Sequence, residues 1–93
     1  MTTKYTMKVE SYVEDVDDVF FTGTAEEIVI DYNNLFGVEM KLDKDEDGDQ
    51  AYYTRNKDAD EWELMDYVES WAEAYEFYLE YLGSLSHIEV EAA

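Results

Sequence analysis

Between Asp58 and Leu82 the chain sorts its charge onto one side of a helical wheel. At about 100° per residue, Asp66, Glu69, Glu73, Glu76 and Glu80 fall within roughly 80° of one another. Leu64, Val68, Trp71, Tyr75, Leu79 and Leu82 gather opposite, flanked by Met65, Ala72 and Tyr78. The period predicts one long helix over 58–82, opened by Asp58 with Glu61 three residues on and closed by Gly83. Like charges at these spacings each cost a few tenths of a kcal/mol in an isolated helix. Lys57 is the nearest base that could relieve them. A solvated face is the plain reading of such a row; presentation to a partner is the other, and it is the one taken here.

Twenty-five acids face six bases, for a formal net charge of -19 in 93 residues. Small soluble domains usually carry a magnitude of about 2–8. Hydrophobic residues make up 46% and aromatics 16%, enough for a core, so disorder is excluded despite the charge. The length predicts a single domain over 1–93. No cysteine is present, which removes disulfides, thiolate metal sites and cysteine nucleophiles. No apolar run nears the roughly 20 residues of a membrane span, and no basic-then-apolar leader opens the chain. The expectation is a soluble protein of the cytoplasm. Phosphate backbones and anionic membranes both need basic patches, so direct binding to nucleic acid or membrane is disfavoured.

Taken in order, Tyr5 to Val13 alternates as a strand, with Tyr5, Met7, Val9 and Val13 on one side. Glu14 to Asp18 turns the chain, and Val19 to Phe21 returns it. Thr24 with Glu27 spells a capping box, Ile28, Val29, Tyr32, Leu35 and Phe36 form an apolar face, and Gly37 suits a left-handed stop. Val38, Met40 and Leu42 alternate, Asp47-Gly48 is a hairpin dipeptide, and Ala51 to Arg55 returns. His87 to Val90 makes a short last strand or a frayed tail. The predicted order is ββαββα(β): an α+β domain with an antiparallel sheet of four or five short strands, two helices on one face, and a long acidic C-terminal helix.

Candidate sites follow from the acids. The row Asp66, Glu69, Glu73, Glu76 and Glu80 spans roughly 21 Å at 1.5 Å per residue. Duplex DNA carries one charge per about 1.7 Å of axis, so nineteen charges match roughly 10 base pairs. The row is sparser than one DNA strand. Glu14, Asp17 and Asp18, with Asp43, Asp45, Asp47 and Asp49, would have to complete a phosphate-like pattern. Asp43, Asp45, Asp47 and Gly48 also reproduce the first half of an EF-hand-type calcium loop, but its twelfth position is Thr54 and its flanks alternate as strands. A charged hairpin turn is therefore preferred to a weak calcium site, and neither another metal signature nor a cofactor motif occurs. His87 is the single histidine, with Ser84 and Ser86 as neighbours that cannot supply a triad, so the chain reads as a non-enzyme. Trp62 and Phe77 fall on or beside the acidic side of the long helix and are the candidate interface anchors.

Small size, extreme acidity, aromatic richness and acids in rows resemble the DNA-mimic inhibitors of bacteriophages and mobile elements, the anti-CRISPR and anti-restriction proteins. Phe21-Thr22-Gly23-Thr24-Ala25-Glu26-Glu27-Ile28 also looks like the strand-Gly-Thr-helix entry of small phage-type proteins. These inhibitors share no common fold, so the resemblance carries over no functional residue. It implies a mechanism: occupying the Lys/Arg-lined cleft of a CRISPR effector or restriction enzyme in a host bacterial cytoplasm and excluding its DNA. The alternatives are an acidic interaction module for another basic partner and a highly charged soluble domain. Two bodies of charge -19 repel, which favours a monomer.

Overall fold

The computed structural model describes residues 3–11, 13 and 15–93. Its order is β1 (Tyr5–Val9), β2 (Val19–Gly23), α1 (Ala25–Phe36), β3 (Val38–Lys44), β4 (Gln50–Asn56), β5 (Glu63–Tyr67), α2 (Trp71–Gly83) and β6 (Ile88–Ala92). The α+β class stands, but the strands form two antiparallel three-stranded sheets, ordered β2-β1-β6 and β3-β4-β5. The helices pack on each other; α1 also touches β1, β2 and β3, while α2 touches β5 and β6. One core runs through both sheets, from Met7, Val9 and Phe21 through Ile28, Val29, Tyr78, Leu79 and Leu82 to Tyr52.

Local chemistry set several elements as the sequence predicts. Thr24 Oγ1 accepts from the Glu27 N–H while Glu27 Oε1 accepts from the Thr24 N–H, so the capping box closes in both directions. The backbone hydrogen bond to Thr24 holds the Glu27 carboxyl below its usual range. Gly37 ends α1 at φ 69°, and Gly48 turns the β3–β4 hairpin at φ 86°. Both are left-handed positions that a Cβ disfavours. The last segment is a strand: β6 pairs antiparallel with β1 from Tyr5↔Ala92 to Val9↔Ile88.

The long helix over 58–82 is not formed. Its first half is strand β5, α2 starts at Trp71, and the chain ends on β6 rather than on a helix. Tertiary pairing overrides the helical period because β4 is the central strand, with Ala51, Tyr52 and Thr54 buried. Without β5, one whole edge of this buried strand would leave its N–H and C=O groups bare. Met65 has no opposite number, since Tyr52 faces Asp66 while Tyr53 faces Leu64. That bulge lets β5 follow β4 despite an imperfect alternation. Extending Asp58, Glu61, Glu63 and Asp66 as loop and strand also removes the like-charge spacings of a helix. Asp58 therefore caps nothing, and Ser70 does: its Oγ accepts from the Glu73 N–H at 3.2 Å.

Ser70→Ala distinguishes the two starts by sign. In a helix interior Ala would stabilise. At this cap its loss costs about 0.5–2 kcal/mol. The melting temperature is expected to fall, by roughly 4–8 °C per kcal/mol at this size.

The core tyrosines set the alkaline limit. Burial, then the Asp66 charge, pushes the Tyr52 hydroxyl up to about 12 from an ordinary 10. The folded state holds this proton where the unfolded chain has released it. Its contribution is thus complete below pH 10 and is lost as pH rises toward about 12. Denaturant melts across that window are expected to show stability falling. In Tyr52→Phe the slope becomes shallower by up to roughly 1.4 kcal/mol per pH unit.

Candidate functional site

One acid of the Asp-rich turn and two of the predicted row, distant in the sequence, meet at one end of the β3-β4-β5 sheet. Asp49, Gln50, Tyr67, Val68, Glu69 and Glu73 line an open groove of about 580 Å³. The β3–β4 turn supplies Asp49, the end of β5 supplies Tyr67, and the entry to α2 supplies Glu69 and Glu73. Gln50 and Val68 in its lining hold each other: Val68 N–H donates to the Gln50 carbonyl at 3.2 Å, and Gln50 Nε2 donates to the Val68 carbonyl at 3.3 Å. Tyr67, half exposed, donates its hydroxyl to Asp45 Oδ2 at 2.8 Å and ties β5 to the hairpin turn. That hydrogen bond, then the Asp45 charge, raises the Tyr67 hydroxyl above its usual range. An aromatic ring held among carboxylates is the anchor arrangement expected of Trp62 and Phe77, and Tyr67 has it here.

The Asp loop is a hairpin turn. Asp45 Oδ1 accepts from the N–H groups of Asp47 and Asp49, each at 2.9 Å, and Asp45 N–H donates to the Asp49 carbonyl. The Asp49 N–H, then the Tyr67 hydroxyl, holds the Asp45 carboxyl below its ordinary range. Asp43 accepts from the Lys44 N–H at 2.8 Å and pairs with Lys41 at 3.4 Å. The Lys44 N–H, then Lys41, lowers the Asp43 carboxyl as well. The first and third positions of the supposed calcium loop are thus turned toward the hairpin's own donors, with strands on either side. Among the described residues no group of three acidic, His or Cys side chains is arranged to hold a metal.

The remaining candidates disperse. Asp66 is exposed on β5, outside the groove lining, with its carboxylate accepting from the Tyr67 N–H. Glu76 and Glu80 lie farther along α2, where with Phe77 they line a separate depression of about 420 Å³ against Tyr5, Gly83 and Val90. Phe77 is half-buried against the core there. Asp17 and Asp18 are exposed in the β1–β2 connection of the other sheet, where Asp18 Oδ1 accepts from the Ser11 N–H at 3.0 Å. Glu14 lies outside the described residues. The five-member row therefore exists only in pieces, because a strand and a cap interrupt its helix.

Trp62 has the opposite electrostatic setting from the one expected. Lys41 Nζ stands 4.6 Å and the Arg55 guanidinium 4.5 Å from its ring centroid. Arg55 Nε also lies 3.4 Å from Glu39 Oε1. The half-buried indole is thus a fastener between the chain entering β5 and the β3–β4 hairpin. No periodicity signals this, because it depends on Lys41 and Arg55 sharing one face of paired strands.

No protein-family model matches this chain, and no curated protein or solved structure matches it. No helix among the described residues is long and apolar enough to cross a membrane. The geometry offers a groove lined by three carboxylates and the Tyr67 ring.

Trp62→Leu separates fastening from partner contact. Cation–π pairs contribute about 0.5–1 kcal/mol each at exposed sites. The variant is expected to lose about 1–2 kcal/mol in urea melts while keeping any partner affinity that Asp49 and Glu69 support.

Proposed function

We propose that this protein is a DNA-mimic inhibitor that docks its acidic groove into the basic DNA-binding cleft of a defence nuclease or CRISPR effector. It would act by occupancy rather than by chemistry, with no cofactor. The observation that carries the reading is the convergence of Asp49, Glu69 and Glu73 around one groove, with Tyr67 fixed among them. Charge placement supports it. No described Asp or Glu is buried. The cations are already engaged in part: Lys8 pairs with Glu10 and Glu89, Lys41 with Asp43, and Arg55 with Glu39.

The mimicry in this reading is of charge density, not of a regular phosphate row. Carboxylates from a turn and a helix start stand in for phosphates on a surface whose overall extents are 47 × 37 × 20 Å. An arginine- or lysine-lined cleft would gain charge-assisted hydrogen bonds to these groups. Steering by the -19 charge would speed encounter and make binding weaken with salt. The partner is basic, and direct nucleic-acid binding is not expected of this surface.

The test is recovery of a DNA-cleaving complex by the tagged protein from bacterial lysates, with and without competing duplex DNA, followed by a cleavage assay. Stoichiometric inhibition relieved by DNA is expected. Asp49→Lys with Glu69→Lys, both at exposed positions, is expected to weaken inhibition at least about tenfold, given a few kcal/mol for charge pairs lost and repulsion gained. Full inhibition by that double variant, with unchanged circular dichroism, would refute the groove as the docking surface.

A further inference from the structure

Strand β2 is an edge unlike the others. The order of the two sheets leaves β2, β6, β3 and β5 each open on one side. β3, β5 and β6 carry Asp or Glu within the strand, whereas β2, Val19-Phe20-Phe21-Thr22-Gly23, carries no charge. Charged side chains are a usual means of keeping an open edge from pairing, and β2 lacks them.

The hydrogen-bond phase of β1 shows which groups of β2 face outward. Glu10 N–H donates to the His87 carbonyl and Ala93 N–H to the Lys4 carbonyl, so the even-numbered residues of β1 bond toward β6. The odd-numbered ones, Tyr5, Met7 and Val9, bond toward β2, opposite Gly23, Phe21 and Val19. The N–H and C=O groups of Phe20 and Thr22 therefore point away from β1, along the open edge. Phe21 turns its ring into the core, and Phe20, on the opposite face, is 63% exposed. Val13, Phe20 and Val16 are three of the four most exposed large apolar side chains among the described residues, and all lie in or just before this strand. Acids stand at both ends: exposed Asp17 and Asp18 precede β2, and exposed Glu26 follows it in the first turn of α1. Lys4 acts on Glu27 at the second end, so the excess of negative charge is at the first.

We propose that β2 accepts an extended segment of the basic partner as a fourth, antiparallel strand of the β2-β1-β6 sheet. An apolar side chain of that segment lies beside Phe20, and Lys or Arg at its C-terminal end meets Asp17 and Asp18. Each feature selects part of this occupant. The outward N–H and C=O groups of Phe20 and Thr22 select an extended backbone, as in strand addition to a free edge. The exposed ring selects an apolar neighbour across the new strand pair. The acids before β2 select bases, and an antiparallel segment brings its C-terminal end to them. A second copy of this chain fits poorly, because antiparallel pairing about Phe21 would set Asp17 and Asp18 of each copy against the acidic start of α1 in the other. The inference deepens the basic-partner reading and rests on it for the source of the strand. It adds a contact on the other sheet from the Asp49–Glu69–Glu73 groove.

The test uses the full chain and a short blocked peptide of alternating threonine and valine ending in two lysines, read by nitrogen–proton NMR. Saturable shifts and slowed amide exchange are expected at Phe20 and Thr22, while the Phe21 N–H, already bonded to β1, keeps its rate. The same peptide ending in two glutamates should bind about fivefold more weakly or worse. A lysine peptide N-methylated on the edge-facing amides should give no protection. Thr22→Pro removes an outward donor without touching the β1 ladder and should abolish protection at Phe20; the N-methylated peptide makes the same point if that variant does not fold. Absence of saturable shifts with millimolar lysine peptide, equal binding of the lysine and glutamate peptides, or undiminished binding after N-methylation overturns the assignment. The peptide carries no other partner surface, so failure of the groove variants to affect inhibition leaves this result standing, and the reverse holds as well.

Discussion

A relay of aromatic rings joins the two sheets, and the rest of the molecule depends on it. Phe21 of β2 meets Tyr32 of α1 at 6.3 Å, Tyr32 meets Tyr78 of α2 at 6.5 Å, and Tyr78 meets Tyr52 of β4 at 6.1 Å, each edge to face. Such pairs add about 0.5–1.5 kcal/mol each beyond the area they bury. The contacts pass from one sheet to the other through both helices, so neither sheet can shift without breaking them. A domain carrying charge -19 repels itself, and these rings supply cohesion that the ion pairs at its surface cannot. Burial pushes the Tyr78 hydroxyl up, as it does that of Tyr32.

The same charge that strains the fold also manages its edges. β5 and β6 each pair on one side, and their outward acids, Glu63 and Asp66 on one and Glu89 and Glu91 on the other, guard against pairing with a second chain. Acids elsewhere serve the backbone: Glu27 caps α1, Asp45 organises the hairpin turn, and Asp18 pins the loop after β1. Asp49, Glu69 and Glu73 line the groove instead. Carboxylates with no structural duty are the ones free to meet a partner.

Much of the fold was legible in the chain because its signals are local. The capping box at Thr24, the left-handed stop at Gly37 and the turn at Gly48 each act within a few residues, and each appears where expected. The long helix failed for the opposite reason. Its period was present in 58–82, but period measures one segment against itself, and β4 needed a neighbour more than the segment needed a helix. A local sign of the true start was available: Ser70 with Glu73 three residues on is the same cap signature as Thr24 with Glu27.

The site divides along the same line. The sequence by itself determined the sign and amount of charge, the presence of an Asp-rich turn and the wealth of aromatics, since these are properties of composition. Tertiary structure alone decided that Asp49 stands beside Glu69 and Glu73, that Tyr67 rather than Trp62 sits among acids, and that Asn33 and Trp71 line one cavity. Each of those facts depends on which strand lies beside which, and strand pairing is a long-range choice made by burial and backbone hydrogen bonding that no short window of residues records.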